Sequence, residues 1–261
     1  MFESVKELLT YRGMVGNFIK KEIRGKYKGS ILGFLWNFIV PLMQVVTYVL
    51  VFSVVFKPDI PSYPVYLIVG MVPWIFFSEC LSGGTGTIVA NSALVTKIYF
   101  PRTILPISVT VSKFVNFMIA MIVAIIIMAV FYDYDFNVSA ILFVPLLMIM
   151  LFIFSLGITM LLSAINAYYR DVEYIVGVAL MILIWLTPIL YKRSTIDDPL
   201  LSTLLSINPM TYFTEAFSQV LYGVSTPELY TFIVCAILTI SSLVIGWYAF
   251  IHLEKNFAEV M

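Results

Sequence analysis

Two ionisable side chains stand where water is scarce. Glu79 and Lys113 each interrupt a long uncharged stretch. A charge inside hydrocarbon is costly, so such residues pair, face a polar interior, or extend toward the headgroups. At 1.5 Å per helical residue their depths differ by about 6 Å. The spacing predicts that they pair or share a polar cavity between two helices. The alternative has Lys113 snorkelling, with Glu79 protonated or near water.

Other chemistry has few residues to work with. One His and two cysteines, Cys80 and Cys235, form no metal cluster or disulfide framework, and both cysteines lie in apolar runs. Gly25-Lys26 has Lys20 where a P-loop needs its first glycine, so the chain has no such route to ATP hydrolysis. The acid pairs Asp133/Asp135 and Asp197/Asp198 read as solvated loop acids rather than a catalytic pair. No catalytic residue, metal or cofactor is expected within the chain.

Of the 261 residues, 61% are apolar and only 11% charged, with a mean hydropathy of +1.01. Soluble domains carry roughly 25% charge, and a core of this size cannot hide so much apolar surface. A water-soluble enzyme is excluded. With 15 basic and 15 acidic residues, nothing points to nucleic acid.

Intervals between charges give six membrane spans near 32–55, 64–90, 106–131, 140–166, 174–190 and 229–251. The stretch 199–222 carries Asn208, Pro209 and Glu215 and reads as re-entrant or interfacial. Asn208 suits a helix N-cap, Pro209 the first helical position and Gly223 the stop; the helix between them, about 14 residues or 21 Å, is too short to cross.

With the N-terminus inside, inner segments hold Lys6, Arg12, Lys20, Lys21, Arg24, Lys26, Lys28, Lys97, Arg102, Arg170 and Lys255, whereas outer ones hold Lys57, Lys192 and Arg193. This asymmetry predicts that both termini are cytoplasmic. The expected fold is therefore an all-α membrane protein. Residues 1–30 form a cytoplasmic amphipathic interface helix, 31–251 a six-span domain with an outer region at 192–228, and 252–261 a cytoplasmic tail. The N-terminal segment is not expected to be a cleaved signal, because the apolar run behind it is too long. Val5, Leu8, Leu9, Val15, Ile19 and Ile23 recur at helical spacing and predict a helix along the inner leaflet.

Ser82, Gly86 and Ala90 recur every four residues, a pattern that permits close helix approach or marks a kink. Tyr63, Tyr66, Tyr132, Tyr134 and Tyr191 suit interfacial anchors. Trp36, Trp74, Phe76, Phe77 and Trp185 could line a path, since rings offer an amphipathic face to sugars.

Six segments carry a resemblance in order along the chain. YKGSILGFLW (27–36), GMVPWIFFSE (70–79), LVTKIYFPRTILP (94–106), YRDVEYI (169–175), LTPILY (186–191) and INPMTYFTEAF (207–217) resemble type 2 ABC export permeases for polysaccharides. The resemblance implies a homodimer bound to two cytoplasmic ATPase subunits, which bind ATP and Mg. It implies export of a polyprenyl-linked glycan of O-antigen, capsule or teichoic-acid type across the cytoplasmic membrane. It also implies outer gate helices before the last span, here carrying Asn208, Pro209, Tyr212, Phe213 and Phe217.

On that resemblance, the 91–105 loop with Lys97 and Arg102 is expected to contact the ATPase, with Arg170, Asp171 and Glu173 as the next candidates. Lys20, Lys21, Arg24, Lys26 and Lys28 suit either anionic membrane lipid or the substrate pyrophosphate. A type 2 exporter for a drug or another lipid is the alternative. A membrane-bound lipid-sugar transferase would display clustered acids or histidines at one face, which this chain lacks.

Overall fold

A computed structural model of the protein describes residues 10–25, 33–52, 60–131 and 137–257, and every regular element among them is helical. In chain order these are α1 (Arg12–Gly25), α2 (Trp36–Val51), α3 (Tyr63–Thr85), α4 (Thr87–Ala90), α5 (Ser92–Lys97), α6 (Ile104–Phe131), α7 (Val138–Ile141), α8 (Phe143–Tyr168), α9 (Val172–Leu183), α10 (Pro199–Ile207), α11 (Pro209–Leu221) and α12 (Leu229–Leu253). Among the described residues four stretches are long and apolar enough to cross a membrane: Tyr63–Thr85, Ile104–Val130, Ser139–Tyr168 and Leu229–Asn256.

Two of the expected spans are shorter helices. Helix α9 has 12 residues, about 18 Å at 1.5 Å per residue. Beyond Leu183 the chain turns irregularly through Thr187 and Pro188 rather than continuing to 190. Helix α2 has 16 residues, and residues 53–59 of that expected span lie outside the described ones. The 64–90 span breaks at Gly86, which caps α3 before the four-residue α4.

Helix α3 is the hub. It is apolar on all sides, as befits a helix enclosed by others, and it packs against α2, α6, α8, α9 and α11. Gly84 lets α8 approach: a Cβ added there would stand 2.1 Å from Thr159 Cγ2. The close approach thus uses Gly84, whereas Ser82 and Ala90 of the expected small-residue stripe point outward.

The most extensive pairing joins α8 to α12. A Cβ on Gly246 would fall 1.9 Å from the Gly157 carbonyl oxygen, and one on Gly157 would fall 2.4 Å from the Ser242 carbonyl carbon. Backbones meet there because neither helix has a side chain between them.

The bundle has two chemically distinct ends. At one, Phe18 of α1 stacks on Phe100, with ring centroids 6.2 Å apart, and joins a core with Val95, Ile104 and Phe250. The expected inner-leaflet helix therefore rests its described apolar side on protein; Val5, Leu8 and Leu9 lie outside the described residues. At the other end, α11 folds against α3, α8 and α12 with α10 beside it, and the Tyr222 hydroxyl donates to the Pro61 carbonyl at 2.7 Å.

Candidate functional site

An irregular segment between α9 and α10 forms the centre of the α10–α11 end. Helices satisfy their own backbone groups, so a segment leaving the helix at membrane depth needs donors from elsewhere. The carbonyls of Leu183, Trp185, Leu186, Pro188, Leu190 and Tyr191 each find one. Thr187 Oγ1 donates to Leu183 O at 2.7 Å and the Tyr191 hydroxyl to Trp185 O at 2.8 Å. Asn208 Nδ2 donates to Leu186 O at 2.8 Å and to Thr187 Oγ1 at 2.9 Å. The Tyr66 hydroxyl reaches Pro188 O at 3.0 Å and Tyr191 O at 2.7 Å, and Tyr63 reaches Leu190 O at 3.0 Å. Gly70 makes room for this segment, since a Cβ there would lie 3.2 Å from Ile189 Cγ2.

Tyr63 and Tyr66 are therefore buried structural donors rather than interfacial anchors, because their hydroxyls are committed to the turn. Tyr132 and Tyr134 lie outside the described residues. Asn208 does cap a helix: its Oδ1 accepts from Met210 N at 3.0 Å, and Pro209 occupies the first position of α11. Helix α11 buries Phe213 and Phe217 fully, Phe213 against Phe154 and Phe217 against Phe117. Tyr212 donates its hydroxyl to Ser206 O at 3.0 Å.

Arg193 clasps the two short helices together. Its guanidinium donates to Ser206 Oγ of α10 at 2.6 Å, lies 3.4 Å from Glu215 Oε2 of α11, and sits over the Tyr212 ring. Burial pushes the Glu215 carboxyl above the ordinary Glu range, against the opposing pull of Arg193. Sequence reading passed over both residues because each looked like ordinary loop or helix charge.

Within the bundle, Lys113 Nζ stands 3.2 Å from Glu79 Oε2 and donates to it. The pair borders a cavity of about 30 Å³ lined by Ile75, Phe76, Asn116 and Phe117. Glu79 remains 33% exposed.

The expected aromatic path divides. Trp74, Phe76 and Phe77 are enclosed in the subunit's own core: Phe76 stacks on Phe117 at 4.6 Å, and Phe77 lies 5.8 Å from Phe154. Ring faces spent on such packing cannot also meet a passing molecule. Trp36 and Trp185 are exposed, the latter beside Phe52.

At the α1 end, Lys97 and the neighbouring Tyr99 are exposed. Arg102, by contrast, turns inward and donates to the Glu254 carbonyl, its guanidinium over Phe257. Arg170, Asp171 and Glu173 are exposed beyond α8, and the Glu173 carboxylate lies against Gly86, where a Cβ would be 2.8 Å from Oε2. Asn166 Oδ1 accepts from Glu173 N at 3.1 Å. Of the basic cluster, Lys20 and Lys21 are both exposed, and Lys21 donates to Asn91 Oδ1 at 2.9 Å. The Arg24 side chain, Lys26 and Lys28 lie outside the described residues. Among the described residues no group of His, Cys, Asp and Glu could hold a metal ion.

A charge-poor helical bundle with a broken helix at one end and basic loops at the other defines a multi-pass membrane protein. The chain belongs to the ABC-2 type transporter family, whose description matches residues 15–222. It is 33% identical over 260 residues, 99% of each chain, to the O-antigen export system permease protein RfbA of Myxococcus xanthus. A Klebsiella pneumoniae protein of the same name is 30% identical over 244 residues, 92% of each chain. The polysialic acid transport protein KpsM of Escherichia coli is 24% identical over 201 residues, covering 75% of this chain and 76% of its own.

Proposed function

We propose that the chain is the permease subunit of an ATP-driven exporter that moves a lipid-linked polysaccharide across the cytoplasmic membrane. The observation that carries this reading is the end-to-end likeness to an O-antigen export permease. The chain supplies helices and loops but no ATP site, so hydrolysis belongs to two copies of a separate ATPase. The working unit is a homodimer of six-pass subunits, in which α9 together with the irregular turn behind it makes one pass and α2 contributes to another.

Charge placement supports the orientation. Lys97, Arg102 and Arg170 share an end with α1, and an excess of Lys and Arg marks cytoplasmic loops. Helices α10 and α11 then face outward as the gate. The exposed residues Lys97, Arg170, Asp171 and Glu173 are positioned to meet the ATPase, while Arg102 supports the same surface from within. The part-exposed Glu79–Lys113 pair favours a partner subunit or a hydrated path beside it, since lipid would solvate it poorly.

Deleting the gene should remove the cell's surface glycan and leave lipid-linked glycan on the inner side of the membrane, both restored by the intact gene. Normal surface glycan in the deletion strain, with loss of export of a drug or another lipid, would establish the alternative exporter.

A further inference from the structure

The α10–α11 end contains a cavity of about 620 Å³ that none of the interactions above fills, within the roughly 300–1,000 Å³ range of small-ligand sites. It lies between the turn after α9, the polar side of α11 and the start of α12. Its walls combine rings and charges: Tyr222 and Tyr230 stand beside Lys192, Arg193, Glu215 and Glu228. Tyr222 is fixed by its bond to Pro61 and carries Lys192 over its face at 5.5 Å. Gln219 holds Glu228 N at 2.9 Å, which ties the start of α12 to α11 at the cavity wall.

This lining selects by chemistry. Two cations and two carboxylates give no net formal charge, so neither a pyrophosphate nor a polyamine finds a one-signed site. An acyl chain or flat apolar drug would strip water from four charged groups without replacing its hydrogen bonds. A pyranose satisfies both features: its C–H face covers the exposed Tyr230 ring, and its hydroxyls bond carboxylate and guanidinium together.

We propose that this cavity binds sugar residues of the glycan as it emerges, an exit subsite within each subunit. The inference rests on the reading of the chain as a glycan exporter. Such a subsite would hold the emerging polymer against backsliding between power strokes.

The test uses the permease–ATPase complex in lipid nanodiscs and, as probe, the repeat unit released by mild acid from the organism's own surface glycan. Saturation-transfer NMR should show sugar C–H protons against tyrosine rings. Ser218→Trp, which fills the cavity, and Tyr230→Ser, at an exposed position, should each weaken binding by about tenfold or more while basal ATP hydrolysis persists. If Ser218→Trp perturbs folding, Tyr230→Ser decides. Failure of the unaltered complex to bind the probe, or equal binding by a folded variant, would overturn the subsite. Surface glycan unaffected by gene deletion would instead overturn the exporter reading itself.

Discussion

Asn208 does three jobs with one amide group. Its oxygen caps α11, while its nitrogen bonds both the Leu186 carbonyl and the Thr187 hydroxyl. An N-cap is worth about 1 kcal/mol, and a buried group left without its partner costs about 1–3 kcal/mol. Asn208→Ala should therefore lower stability by about 2–4 kcal/mol, read as a drop in thermal midpoint in detergent. Asn208→Asp keeps the cap but removes the two donated bonds and should fall between the two; a midpoint equal to that of the unaltered protein would contradict these roles. Glu215 gives the residue scale a pH dependence. Its folded carboxyl is raised by burial above an ordinary value of 4.5. Above that value the folded state holds more protons than the unfolded one, so stability falls as pH rises through the window up to the folded value. Glu215→Gln should flatten this slope in thermal unfolding measured across mildly acidic pH. The Asn-Pro cap was legible in sequence because capping is a local interaction. The roles of Tyr63, Tyr66 and Arg193 were not, since their partners lie far along the chain and only folding brings them close.

At the scale of elements, glycine decides how closely helices meet. The α8–α12 contact leaves no room for a methyl group at residue 246. Gly246→Ala should cost about 1–3 kcal/mol or more, as overpacking does, and should reduce the amount of folded protein recovered from membranes. Gly177, with nothing within 4 Å of an added Cβ, supplies the control: Gly177→Ala should be tolerated. Of the regular Ser82, Gly86, Ala90 series, Gly86 breaks the helix and takes the Glu173 carboxylate against it, while the closest helix–helix contacts fall at Gly84, Gly157 and Gly246. Periodicity identifies which residues share a face, but it does not reveal which face meets a neighbour. At α9 the helix is shorter than the uncharged interval that contains it. Hydropathy treats 174–190 as continuous, whereas Thr187 and Pro188 fall within the turn that follows the helix.

For the whole molecule, the decisive features are the difference between its ends and the connection between them. Arg102 and the Tyr168 hydroxyl both donate to carbonyls at the end of α12, to Glu254 and to Leu253. The loop before α6 and the end of α8 thus share the last turn of α12, a helix whose first turn is tied to α11 at the far end. Lys97→Glu should leave the fold unchanged, because this exposed side chain ends a short helix, but should lower recovery of the ATPase with the tagged permease several-fold. Unchanged recovery together with unchanged export would remove Lys97 from the contact. The membrane class, the two unlike ends and the order of motifs were all legible, since they depend on composition and on signals spread along the chain. The cavity beside α11 was not, because its walls come from five separated parts of the chain, each of ordinary polar or tyrosine residues.

The turn after α9 has a consequence for water. Its carbonyls are met by hydroxyl and amide donors from α3, from the loop before α11 and from the turn itself. Drawing α11 away from α3 breaks several of these bonds together, and in a hydrocarbon surrounding nothing replaces them. Water must arrive as they part. In the proposed gate role, opening this end would be a wetting transition, and a heavily hydrated glycan would bring the required solvent with it.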